Sequence, residues 1–121
     1  MVSGDMVGRS CLHCALARAL RAEGPAFAAG RLSVTFARSE PVWLPVSGTR
    51  LYRGVRRVLA DARTHAVRSP VKLAVIDLPG KSEVEVTATA LGRVGARVFR
   101  CAFPRYLPGT LVRGFAEAFE P

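Results

Sequence analysis

Thr49-Arg50-Leu51-Tyr52-Arg53-Gly54-Val55-Arg56-Arg57-Val58-Leu59-Ala60-Asp61-Ala62-Arg63-Thr64-His65-Ala66, with Val71 to Leu78, Pro79-Gly80-Lys81-Ser82 and Glu83-Val84-Glu85-Val86-Thr87 after it, decides the fold. In the first stretch Leu51, Val55, Val58, Leu59, Ala62 and Ala66 recur at i, i+4, i+7, i+8, i+11 and i+15, the stripe of a helix packed on one side. The second is a nearly continuous apolar run that ends in a Pro-Gly turn. The third alternates with period two, so the pair reads as an antiparallel hairpin. A one-sided helix leading into a hairpin has to lay its stripe on the hairpin's apolar face.

Working outward, Arg31-Leu32-Ser33-Val34-Thr35-Phe36 alternates and places Leu32, Val34 and Phe36 on one face of a strand. Pro41-Val42-Trp43-Leu44-Pro45 is extended and bounded by prolines, which suits an edge strand or a crossing loop. Further upstream, Ser10 caps a helix from about Cys11 to Glu23, with Leu12, Leu16, Ala19 and Leu20 at helical spacing, and Gly24-Pro25 ends it. Downstream, Arg97 to Phe103 is a further strand, and Thr110 caps a last helix carrying Leu111, Val112, Phe115 and Phe119. This order predicts an α+β fold, a two-layer α/β sandwich with helices on one face of a mixed, largely antiparallel sheet. Trp43 and the six Phe are expected in its core.

The chain has 121 residues, half of them apolar and 22% charged, which gives one domain spanning 1–121 and excludes a disordered tail. No stretch approaches the roughly 18 consecutive apolar residues of a membrane span, and the N-terminus lacks the pattern of a secretion signal. The expected compartment is the cytoplasm. Eighteen basic against nine acidic residues give a net charge of +9, a field that attracts polyanions and acidic protein surfaces. Only Lys72 and Lys81 are lysines, and an arginine-rich, lysine-poor composition is also what a GC-rich genome writes without selection for binding.

The segments Gly30 to Phe36, Pro41 to Leu44 and Ser47 to Ala66 resemble, in order and pattern, the opening half of the GHKL ATP-binding domain of sensor histidine kinases. In that family a strand, a short extended piece and a helix reading "V-L-x-N-L-L-x-N-A-x-x-H" follow one another, and with the next hairpin the resemblance covers residues 30 to 90. It implies that Asp61 stands at the family's magnesium-binding Asn, Arg57 one turn before it, and His65 where Lys or His is frequent. The family's adenine-recognising Asp, in "D-x-G-x-G", falls in Ala90-Leu91-Gly92-Arg93-Val94-Gly95, where Ala90 replaces the Asp and Gly95 is one residue late. Losing that charge-assisted bond costs about 1.5–3 kcal/mol, roughly 10- to 150-fold in affinity. The phosphate-wrapping lid is reduced to Leu107 to Val112, and neither the family's closing strands nor its helix pair bearing a phosphorylatable His is found. The implied object is a truncated, degenerate domain with no cofactor, or at most weak ATP and magnesium binding.

Arg57, Asp61 and His65 share one helix face by spacing alone. Their plain reading is a solvated face with an ion pair worth a few tenths of a kcal/mol; the alternative is the remnant of a nucleotide pocket. Arg50, Arg53, Arg56, Arg57 and Arg63 likewise make either a solvated surface or a dock for an acidic partner or for phosphates. Cys11-Leu12-His13-Cys14 invites metal or thiol chemistry, but a structural zinc needs four ligands and only Cys101, His13 and His65 remain, so packing is the expected role. An odd count of three cysteines argues for reduced thiols. Neither a Ser-His-Asp order nor a Walker-type loop is present, and Glu83 and Glu85 fall on the solvent side of their strand.

The sequence thus points to a small regulatory protein that binds an acidic protein surface in signalling or transcription control without turning over ATP, with homodimerisation through the first helix as a further option. Two alternatives stand beside it: residual phosphotransfer with Asp61 on the metal and Arg57 on phosphate, and nucleic-acid binding through the arginine-rich helix.

Overall fold

The computed structural model describes residues 8–106. The elements follow in the order β1 (Ser10–Cys11), α1 (Leu12–Ala29), β2 (Val34–Phe36), β3 (Trp43–Leu44), α2 (Gly48–His65), β4 (Arg68–Ile76), β5 (Glu83–Leu91) and β6 (Ala96–Pro104). Four strands form one sheet in the order β2-β4-β5-β6; β2 runs parallel to β4, and β4, β5 and β6 are antiparallel neighbours. β1 and β3 make a separate two-stranded pair. The helices pack against one face of the main sheet, so the fold is the expected α+β sandwich.

α2 begins at Ser47, whose hydroxyl accepts from the Arg50 N–H at 3.1 Å. Its buried stripe is Leu51, Val55, Val58, Leu59 and Ala62, and it lies over β5 and β6. Opposite it, β5 alternates as its sequence requires: Val84, Val86, Ala88 and Ala90 are fully buried, while Glu85, Thr87 and Thr89 point to the open face. The β4–β5 hairpin turns at Gly80, where φ is +80°, a conformation that needs glycine. Arg105 ties this turn down, donating to the Lys81 carbonyl at 2.8 Å and pairing with Asp77.

Helix α1 departs from expectation at both ends. Cys11, not Ser10, is the cap, its sulfur accepting from the Cys14 N–H at 3.4 Å. The helix also runs through Gly24-Pro25 to Ala29. An interior proline costs about 3 kcal/mol, and burial of Phe27, only 3% exposed, offsets about 1.5–3 kcal/mol of that. Glu23, buried at 6% exposure just before the proline, accepts from Arg56 Nε and Nη2 of α2 at 3.0 and 2.8 Å, with Arg63 Nε at 3.7 Å from its other oxygen. The helix survives its proline because long-range contacts hold both flanks.

Trp43 is not in the core. It is 57% exposed, because in two-residue β3 the alternation sends Leu44 inward, at 0% exposure, and Trp43 out. Of the strand expected over 31–36, the regular part is Val34–Phe36; Ser33 still accepts from the Val71 N–H at 2.9 Å, and Arg31 adopts a positive φ of 57° in the turn leaving α1. Phe27 and Phe103 are buried, Phe36 and Phe99 half-buried. The last helix expected after Thr110, with Phe115 and Phe119, lies outside the described residues.

Candidate functional site: the cleft between α2 and β6

Helical spacing brings Arg57, Asp61 and His65 onto one side of α2, and that side faces β6, the edge strand of the sheet. Two adjoining clefts separate the elements. One, of about 420 Å³, is lined by Gly54, Arg57, Val58 and Asp61 from α2 and by Phe99, Arg100 and Cys101 from β6. The other, of about 340 Å³, is lined by Asp61, Thr64 and His65 from α2 and by Arg97 and Phe99 from β6. Asp61 and Phe99 belong to both.

β6 contributes by alternation. Phe99, Cys101 and Phe103 pack toward α2, so Arg97 lies on that side as well, its guanidinium 4.9 Å above the Phe99 ring centre. Val98, Arg100 and Ala102 fall on the opposite face. Burial pushes the Cys101 thiol up to about 11, which keeps it protonated and unreactive near neutral pH.

His65, the last residue of α2, closes one end of the cleft. Its ring meets Phe99 edge-on at 5.8 Å between centroids, and its Nε2 is buried without a hydrogen-bond partner. It also covers Gly92 so closely that a Cβ there would fall 2.3 Å from Nε2. Gly92 starts the β5–β6 turn, donating to the Gly95 carbonyl at 2.9 Å, and Leu91 pairs directly with Ala96 across it.

The five arginines singled out on α2 do not act together. Arg56 and Arg63 turn toward Glu23, and hydrogen bonding to that carboxylate raises the Arg56 guanidinium above its ordinary value. Arg57 enters the cleft, and Arg50 and Arg53 are exposed. Arg97, Phe99, Arg100 and Cys101 were not foreseen as part of a site; the alternation of Arg97 to Cys101 was visible in the sequence, but not which helix it would face.

The Cys11–Cys14 pair sits at the start of α1, where a hydrogen bond with the Cys11 side chain raises the Cys14 thiol. His13 is engaged elsewhere, accepting from the Val42 N–H at 3.3 Å and bonded to Ser39 at 3.0 Å. Among the described residues no group of three His, Cys, Asp or Glu side chains comes together as a metal site would require, and no helix is long and apolar enough to cross a membrane.

No protein-family model matches this chain, and no curated protein matches it. Solved structures do. Histidine kinase AdeS of Acinetobacter baumannii superposes with a TM-score of 0.65 over 82% of this chain and 68% of that one, at 9% identity. The cytoplasmic segment of histidine kinase QseC superposes with a TM-score of 0.50 over 72% of this chain and 55% of that one, at 14% identity. At such identities the likeness is one of fold, and the fold is histidine-kinase-like.

Proposed function

We propose that this chain is a small regulatory protein on a histidine-kinase-like scaffold whose nucleotide cradle has degenerated, and that it acts by binding an acidic protein surface in signalling or transcription control rather than by turning over ATP. The observation that carries this reading is the passage from β5 to β6. Where the resemblance calls for an adenine-binding Asp and a glycine-rich loop, Ala90 is fully buried facing the helices, and the strand reverses within Gly92–Gly95 to pair at once with β6. The His65 ring covers Gly92, the first glycine of the segment that stands where the resemblance puts that loop.

The residues at hand do not fit a nucleotide–magnesium complex. Asp61 supplies one carboxylate, flanked on its helix by Arg57 and His65 a turn away on either side, whereas magnesium takes near-octahedral oxygen coordination. Arg57 and Arg97 lie beside that single acidic residue, a balance that favours anionic partner groups.

Calorimetric titration with ATP and with ADP in the presence of Mg²⁺ tests the nucleotide half; no binding is expected, and a micromolar Kd overturns it. The partner half is tested by affinity capture with the parent and with the Arg50→Glu, Arg53→Glu, Arg57→Glu variant. Nuclease-resistant capture that the variant loses is expected. Capture abolished by nuclease would favour nucleic-acid binding instead.

A further inference from the structure

We propose that the outer edge of β6 is a strand-addition site, at which an extended acidic segment of a partner protein pairs with Ala96–Phe103 and places alternate carboxylates in the two clefts under α2. This rests on the protein-binding reading above and names the chemistry of the partner.

β6 is the last strand of the sheet, and among the described residues nothing pairs with its outer side. Its nine residues pair one-to-one with β5 without a bulge, and its only proline is the final residue, so Ala96 to Phe103 all retain a backbone N–H. The opposite edge, β2, has three residues. A long, regular edge offers a row of unpaired donors and acceptors to another extended chain.

The clefts match that geometry. They lie beside Arg97–Phe99 and beside Phe99–Cys101, two residues apart on β6. Alternate side chains of an added strand point to one face at intervals of about 6.6 Å, so consecutive ones fall into consecutive clefts. There they meet Arg97 and His65 in one, Arg57 in the other, with Asp61 the acidic group present. The far face carries Arg100 and Val98, the latter 42% exposed.

Charge identifies the occupant. A second copy pairing antiparallel over the full strand, Ala96 against Pro104, would set the two Arg100 side chains directly opposite each other. An acidic strand meets arginine on both faces.

The probe is the fluorescent nonapeptide Glu-Val-Glu-Thr-Glu-Val-Glu-Thr-Glu, with two relatives N-methylated at odd or at even positions, followed by anisotropy with the full chain. Strand addition predicts that one N-methylated peptide binds about tenfold or more weakly while the other stays near the parent, because only one edge of the added strand bonds to β6. Arg97→Glu is expected to weaken the parent peptide by roughly tenfold, and Arg38→Glu, just past the opposite edge strand β2, to leave it unchanged. Hydrogen exchange of the β6 amides should slow on binding. Equal binding of both N-methylated peptides, or no binding of the parent peptide, overturns strand addition. If the nuclease-resistant partner is still captured in that event, the acidic-partner reading stands without it; if capture fails too, both fall.

Discussion

Gly54 faces Phe103 of β6 with no room for a Cβ, and Gly54→Ala separates two opposing effects by sign. On an isolated helix the substitution stabilises by about 1 kcal/mol, since alanine restricts the unfolded chain and favours the helix. Here the added Cβ would lie 2.7 Å from Cζ and 3.0 Å from Cε1 of Phe103, far inside van der Waals contact. Phe103 is 4% exposed and paired across the sheet with fully buried Val84, so its ring has little freedom to withdraw. Overpacking of this kind costs about 1–3 kcal/mol, and the rigid neighbour places it in the upper part of that range. The net expectation is a loss of about 1–2 kcal/mol, a fall in Tm of roughly 4–10 °C for a domain of this size. Thermal denaturation followed by far-UV circular dichroism measures it. Phe103→Leu removes Cζ and Cε1, so in that background Gly54→Ala should turn neutral or stabilising, a coupling of about 1–3 kcal/mol in the double-mutant cycle. If Gly54→Ala alone raises Tm, the close packing of α2 on β6 is wrong, and the clefts beside Phe103 have a different shape.

Gly92→Ala should destabilise for a similar reason, with Nε2 of His65 at 2.3 Å from the new Cβ, and His65→Ala in the same chain should recover most of the loss; an additive pair would mean the ring does not cover Gly92. The Cys101 thiol is raised from 9.0 to about 11 by burial, so the folded state prefers it protonated. Its contribution is complete below pH 9 and is lost as pH rises through about 11. Urea titrations should therefore show stability falling across that window in the parent and a flatter profile in Cys101→Ala. Trp43 is the chain's single tryptophan and is 57% exposed, so native fluorescence should be red-shifted and readily quenched by acrylamide; a blue, protected emission would return it to the core.

What the sequence made legible was whatever is encoded locally. The stripe from Leu51 to Ala62 and the alternation of Val84 and Val86 each repeat with the period of their own element, and both stand where that period placed them. The end of α1 was not legible, because Gly24-Pro25 is a genuine local stop overruled by contacts from Glu23 to residues 33 or more positions away. Trp43 misled because a two-residue strand has no period from which to read its face. The candidate site divides along the same line. Arg57, Asp61 and His65 follow from helical spacing, whereas Arg97 and Phe99 join them only because β6 and not β4 runs beside that face of α2, a fact of topology that no local pattern carries.

The distribution of charge shows why an edge strand and a diffuse basic surface behave differently. Glu23 offsets one of the two charges of Arg56 and Arg63, and Asp77 offsets that of Arg105. Arg50, Arg53, Arg57, Arg97 and Arg100 remain exposed, spread over two elements. At physiological salt the Debye length is about 8 Å, so exposed charges on separate elements act mainly on groups they nearly touch. A nucleic acid held by four of them would lose affinity with salt at a logarithmic slope of about −3.6, since each neutralised phosphate contributes about −0.9. An acidic strand on β6 draws on main-chain hydrogen bonds as well, which salt scarcely weakens, and keeps only its Arg97, Arg100 and Arg57 contacts exposed to screening. A shallow salt slope combined with sensitivity to backbone N-methylation therefore belongs to strand addition alone, and a steep slope without that sensitivity belongs to phosphate binding.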